Sequence, residues 1–478
     1  MVPGQSTSQP LNTISRVREV FDRSKAAFNQ DRNPPVTARR EALQKLATML
    51  VTNKHAIAEA ISADFGNRSR PETELLELFP SISAINDAKR HVASWMKPKR
   101  GWASMLFLPA RTEIRPQPLG VVGIIVPWNY PILLAISPLS AALAAGNRVL
   151  IKMSEFTPRT GELLAKLVAD TFPSGQVSVI NGGVDIATAF SQLPFDHLLF
   201  TGSANVGRLV MQAAAANLTP VTLELGGKSP AIIGPECAIT EAAEKILFGK
   251  CVNAGQTCIA PDYVLLPRGK EAAFIVAAKE VVASLYPTLG NNADYTSIVN
   301  RRNLERLQNI LADAASKGAS VVPLENLNEN LDDAQKLAPT IVHDVNEEMR
   351  IMQDEIFGPI LPLVSYDTLD DAIRYVNDHP HPLALYYFGH DAQHIEHVLN
   401  QTIAGGVTIN ETLLHISQET LPFGGVGASG MGAYHGEVGF TTFSKMKPIF
   451  HQAKFNGLHL LKPPYGKRFE SILKFLLR

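Results

Sequence analysis

Cysteine is scarce in this chain: there are three among 478 residues, Cys237, Cys251 and Cys258. The number is odd and no pair has C-x-x-C spacing. That excludes a disulfide framework and points to a reducing, cytoplasmic compartment. Charge imbalance is also missing. With 44 Lys plus Arg against 45 Asp plus Glu, the formal charge of −1 gives no electrostatic reason to expect nucleic acid or an anionic membrane as partner. The opening Met1-Val2-Pro3-Gly4-Gln5-Ser6-Thr7 lacks the apolar core of a secretory signal. No long apolar run continues unbroken. Leu119 to Asn147 carries no charged side chain and is long enough to suggest a bilayer span. Yet Pro127, Pro131 and Pro138 interrupt it and Asn129 is polar, so it reads as a buried strand, turn and helix. Internal repeats and low-complexity segments are absent. His379 and His381 have no nearby cysteine or carboxylate cluster to complete a site, so no metal is expected.

What is present is an alternation. A chain this long divides into at least two domains. Short Val/Ile/Leu runs at Val121–Val126, Arg148–Ile151, Val177–Ile180, His197–Phe200 and Val221–Leu225 predict strands. Between them, Pro131–Ala145, Pro158–Thr171 and Ser203–Ala216 predict helices. Continuous apolar strands with helical crossovers mean a parallel sheet covered on both faces. A second α/β alternation runs from Pro230 to about Pro422. Arg16 to Ser94 reads as helices, Leu106 to Ile114 as a β-hairpin arm that pairs with another subunit, and Phe469–Leu477 as a short amphipathic docking helix.

The chemistry gathers around Cys258, which stands between Gly255-Gln256-Thr257 and Ile259-Ala260-Pro261, where the backbone can turn sharply and present one sulfur. Upstream, Leu223-Glu224-Leu225-Gly226-Gly227 places a carboxylate among apolar residues and glycines. A thiol nucleophile and a carboxylate held in an apolar place are the raw material of covalent catalysis. Cys237 and Cys251 have no such context and read as small core residues. Two glycine patterns compete for a phosphate. Gly425-Val426-Gly427-Ala428-Ser429-Gly430 is a literal G-x-G-x-x-G, but no strand leads into it and no helix follows, so it reads as a backbone turn. Thr201-Gly202-Ser203, with Gly207 further on, follows a strand and opens a helix whose free amides can face a pyrophosphate. Read alone, that turn is common to many strand–helix connections. Lys152 and Glu155 sit at a strand's C-terminal end, where open α/β sheets bind cofactors; alone, they read equally well as surface residues at a helix start. Asn129, in Trp128-Asn129-Tyr130, can donate its amide to an oxyanion or simply serve its own turn. Glu355, before Ile356-Phe357-Gly358, is either a ribose ligand or a surface carboxylate.

Taken together and in this order, these segments resemble the signatures of the aldehyde dehydrogenase superfamily, from about Arg16 to Lys445. Leu421–Gly436, Cys258–Tyr263 and Pro463-Pro464-Tyr465 look like its class 3 branch. Within that branch, Ala63–Ser69 and Gly123–Pro131 are similar to bacterial coniferyl aldehyde dehydrogenases. The resemblance implies an α/β fold with a Rossmann-like cofactor domain (residues 1–99 and 118–225) and a second α/β catalytic domain (226–440). It adds a small β oligomerisation arm (100–117 and 441–455), a tail (456–478) and a homodimer. It implies Cys258 as nucleophile, Glu224 as base for water, and Asn129 with the Cys258 backbone N–H as oxyanion hole. Trp128, Lys152, Glu155, Gly202, Ser203, Gly207, Glu355 and Phe357 are implied to bind NAD, with NADP possible. The expected reaction oxidises a small aldehyde, aromatic or medium-chain, to its acid. A CoA-acylating enzyme is the rival, but such relatives generally lack the glutamate at the position of Glu224; a non-catalytic scaffold would have no use for Cys258, Glu224 and Asn129 together. In the family's usual pattern a proline stands where this chain has Met153, and a threonine where it has Ala204.

Overall fold

The structure, a computed structural model, describes residues 13–324 and 329–477. The opening residues read for a secretory signal lie outside the described residues. Three sheets organise the chain. The first runs, edge to edge, Gly430–Met431, Val221–Leu225, His197–Gly202, Val121–Ile125, Arg148–Lys152 and Val177–Ile180. Its strands are parallel except Gly430–Met431, which is antiparallel to Val221–Leu225. The central Val121–Ile125 and Arg148–Lys152 are buried at every residue, as a sheet covered by helices on both faces requires. The crossover helix Leu133–Ala145 is sheathed in protein, and Gly146, at a left-handed φ of 92°, ends it. The stretch without charges is therefore a buried strand, turn and helix. Among the described residues no helix is long and apolar enough to cross a membrane.

The second sheet orders Ser320–Pro323, Thr340–His343, Ile360–Tyr366, Tyr263–Pro267, Pro230–Ile233, Ala384–Phe388 and Gly406–Ile409, parallel apart from the Ser320–Pro323 edge. One apolar core joins both sheets, with Ile124 and Val149 of the first and Ile232 and Val264 of the second in the same cluster. The third sheet differs from the hairpin expected at Leu106–Ile114. Its strands are Lys99–Trp102 and Arg111–Pro118, separated by a 3-10 turn at Met105–Phe107, and Ser444–His451 pairs along the whole far side of Arg111–Pro118. That third strand comes from more than three hundred residues downstream, which local pattern could not reveal. The tail helix, Lys467–Leu476, buries none of its side chains, so it does not dock on this chain as expected.

The Gly425–Gly430 run forms a tight backbone turn. Ser429 is buried, its carbonyl accepts the Leu225 N–H at 3.0 Å, and its hydroxyl accepts the Val426 N–H at 2.9 Å. The turn braces the strand that carries Glu224.

Candidate active site

The chain places a cysteine between two cavities. One, of about 260 Å³, lies against the C-terminal ends of the first sheet and includes Trp128, Asn129, Gly202, Ser203, Glu224, Glu355 and Phe357 in its lining. The other, of about 210 Å³, is walled chiefly by apolar side chains such as Leu76, Leu133, Phe248 and Ile259. Cys258 lines both.

Local chain geometry aims the thiol. Helix Ile239–Cys251 ends in a turn where Asn253 and Ala254 both adopt φ of 50° and Gly255 φ of 72°. Gln256, wholly buried, fixes the loop beyond: its side chain donates to the carbonyls of Asn253 and Ser297 and accepts the Val299 N–H at 3.0 Å. The thiol itself is held up to about 12 by burial and by the nearby Glu355 and Glu224 carboxylates, against the N–H groups of Cys258 and Ile259. Cys258 is free of any disulfide.

Glu224 faces the cavity from strand Val221–Leu225 with 2% of its surface exposed, and neither carboxylate oxygen has a hydrogen-bond partner. Burial alone drives its carboxyl well above the ordinary range. A carboxyl whose proton affinity is raised by burial is a stronger base when ionised than one in water. Glu355 accepts the Gly227 N–H and is raised to about 8, by burial first and then by Asp262. Its Oε1 is unpartnered, as is the Thr201 hydroxyl in the same cavity. Asn129 leaves the strand Val121–Ile125 through a proline-flanked turn. It is 2% exposed, and its Nδ2 donates to the Gln256 carbonyl at 3.1 Å. An amide has two N–H bonds, so the second is free to serve an oxyanion. Trp128 and Phe357 meet edge to face, ring centroids 5.3 Å apart.

Residues 5–449 match the family described as the aldehyde dehydrogenase family. The chain belongs to the aldehyde dehydrogenase family. It is 51% identical over 465 residues to a Pseudomonas aeruginosa protein named "Probable coniferyl aldehyde dehydrogenase", covering 97% of both chains. Among solved structures it resembles the substrate-bound Staphylococcus aureus AldH, at 38% identity, a TM-score of 0.91, and coverage of 96% of this chain and 99% of that one. A Mycobacterium tuberculosis aldehyde dehydrogenase complexed with NAD+ superposes with a TM-score of 0.84 at 29% identity, over 93% of this chain and 91% of that one.

Three residues expected to bind the dinucleotide lie outside the 260 Å³ cavity of this aldehyde dehydrogenase. Lys152 ends strand Arg148–Lys152 beside the cavity's strand, with its ammonium donating to the Met153 carbonyl at 2.7 Å. Glu155 is exposed just beyond it. Gly207 is buried in helix Ala204–Ala215, where a Cβ would come within 2.7 Å of Leu225 Cδ2, so it serves close helix–strand packing. The residues suit a dinucleotide: a strand–helix edge, a helix N-terminus capped by Ser203, and orphaned acceptors in Glu355 and Thr201.

Sequence reasoning missed several neighbours. Asn303 and Arg306 line the cavity from helix Arg301–Ser316, and Arg306 Nη2 donates to the Ile356 carbonyl at 2.6 Å, pinning the loop that carries Glu355. On an amphipathic helix they read as solvated polar residues, and no local signal marks them. Gln256 was visible beside Cys258, but two of its three side-chain partners, at Ser297 and Val299, lie more than forty residues away.

Proposed function

We propose that this enzyme oxidises an aromatic aldehyde of the coniferyl type to its carboxylic acid with NAD as acceptor. The observation that carries the proposal is Cys258 as the shared wall of a polar cavity and an apolar one. The apolar walls suit an aromatic ring, and Glu411 and Ser417 in the same lining offer acceptors to a phenolic hydroxyl. The Pseudomonas aeruginosa relative's name supports the same substrate class.

In this reading the Cys258 thiolate attacks the aldehyde carbon, forming the C–S bond and pushing the carbonyl electron pair onto oxygen. Asn129 Nδ2 and the Cys258 N–H hold that oxyanion. Its collapse restores the C=O bond, expels hydride and leaves a thioester on Cys258. NAD, when bound, supplies the hydride acceptor, with Trp128, Glu355 and Phe357 holding its nicotinamide end, Gly202 and Ser203 its pyrophosphate, and Lys152 and Glu155 its adenosine ribose. Glu224 then takes a proton from water, the water attacks the thioester, and the C–S bond breaks to release the acid and the thiolate. The unpartnered carboxyl of Glu224 favours water over CoA as the resolving nucleophile. The Glu155 carboxylate favours NAD over NADP, because it repels a 2′-phosphate.

The protein acts as a homodimer in a reducing cytoplasm. Support comes from the three free thiols and from apolar side chains left in solvent on helix Ala204–Ala215, Val206 at 45% and Leu209 at 64% exposure. The test of the substrate and cofactor reading is a panel of cinnamyl-type, benzaldehyde and medium-chain aliphatic aldehydes with NAD and with NADP. The highest kcat/KM is expected for the cinnamyl type with NAD; a ranking led by aliphatic aldehydes or by NADP contradicts it.

A further inference from the structure

Three charged residues of the segment 66–78 line neither cavity, yet they grip both sides of the reacting centre. Arg68 and Glu77 are fully buried and paired at 2.9 Å. Arg68 Nη1 also donates to the Asn129 carbonyl at 2.6 Å, and its guanidinium lies over the Tyr130 ring, 4.6 Å from the centroid. Glu77 Oε2 accepts the N–H groups of Ile132 and Leu133, at 2.7 and 3.1 Å, where the chain turns into the helix after Asn129. The strand exit that carries Asn129 is thus clamped before and after its side chain. On the opposite side, Asn253 Nδ2 donates to the same Asn129 carbonyl at 3.1 Å and to the Gln256 carbonyl at 3.1 Å. The Asn253 N–H is in turn held by Glu72 Oε2 at 3.0 Å. The Gln256 carbonyl is also the group that orients the Asn129 amide.

A buried ion pair is a poor stability device. Desolvation offsets most of its attraction, and an apolar pair of similar volume often does as well. Its value lies in fixed direction: Arg68 and Asn253 converge on the Asn129 carbonyl, while Glu77 fixes the backbone N–H groups just beyond it. We propose that Arg68 and Glu77 are positioning residues for the oxyanion donor: they set the angle of Asn129 against Cys258, with Asn253 as the third contact. This rests on the reading of Asn129 as that donor.

Positioning has a signature that general damage lacks. Forming the thiohemiacetal builds an oxyanion, whereas alkylation of the same thiol by iodoacetamide builds none. The experiment follows the NADH burst rate with a cinnamyl-type aldehyde, the iodoacetamide rate at Cys258, both KM values and the melting temperature. The variants are Arg68→Lys, the double variant Arg68→Met with Glu77→Gln, and Asn129→Ala as reference. Arg68→Lys keeps the charge opposite Glu77 and the fold, but cannot reach both partners at once. The burst is expected to slow by about 100-fold in the double variant, the scale of an ångström-level misplacement, and by a smaller factor in Arg68→Lys. Alkylation rates and KM values stay near those of the unmodified enzyme. A normal burst in Arg68→Lys and in a folded double variant, with Asn129→Ala slow, overturns the proposal. So does a parallel loss of burst and alkylation, which marks general disruption. If Asn129→Ala itself bursts normally, the donor reading falls and the proposal falls with it.

Discussion

Cys258 holds its proton tightly because burial in a dry pocket disfavours the thiolate, with Glu355 and Glu224 adding to that effect. The thiolate is the nucleophile, so a raised pKa means a small reactive fraction at neutral pH that grows with each step up in pH. Without NAD, the logarithm of the iodoacetamide rate is expected to climb with unit slope through the alkaline range and to level only near the thiol's pKa of about 12. A plateau near neutrality contradicts that account. Cys258→Ala is expected to abolish NADH formation while the fold persists, since no C–S bond can form; substantial turnover by the folded variant would refute it. Asn129→Ala should lower kcat by about 100- to 1,000-fold, the usual effect of removing one oxyanion donor. Cys258 and Glu224 were legible in the sequence because their surroundings are short runs of chain. Arg68, Glu77 and Arg306 were not, because the backbone groups they hold lie 50 to 61 residues away, and nothing local marks Asn303 as a cavity wall.

At the scale of elements, the hydrophobic runs located the first sheet closely. Val177–Ile180 and Val221–Leu225 stand as read, and His197–Phe200 extends to Gly202. Helix Pro158–Thr171 was also read to its ends. Apolar periodicity is a local property, so it carries elements of this kind. In the arm, the hairpin read at Leu106–Ile114 is a 3-10 turn leading into one strand, and the outer strand, Ser444–His451, lies in the 441–455 segment that the family resemblance implied but that no local pattern announces. Two elements meet at Gly255, where the cysteine loop passes the loop of Glu355. A Cβ there would lie 2.3 Å from the Gly358 carbonyl, at a φ of 72° that disfavours side chains. Gly255→Ala is therefore expected to destabilise the protein by at least about 2 kcal/mol. It should separate the thiol from the cofactor side as well. Calorimetry and NADH assays together test this; an unchanged melting temperature contradicts it.

For the whole molecule, both sheets share one core, and their strand ends face the cavity that Cys258 and Glu224 close. The chain leaves apolar surface uncovered on helix Ala204–Ala215, which the proposed dimer would bury against a second copy. Sedimentation should give twice the chain mass, and Val206→Arg with Leu209→Arg should shift it to the monomer. A monomeric unmodified protein contradicts the dimer. The proposed chemistry divides labour between Cys258 and Glu224, and stopped-flow NADH fluorescence of Glu224→Gln isolates it. Acylation should proceed and hydrolysis should stall, giving a burst of one NADH per active site and then slow turnover. A steady state equal to the unmodified enzyme's, with no burst, would contradict Glu224 as the base that resolves the Cys258 thioester.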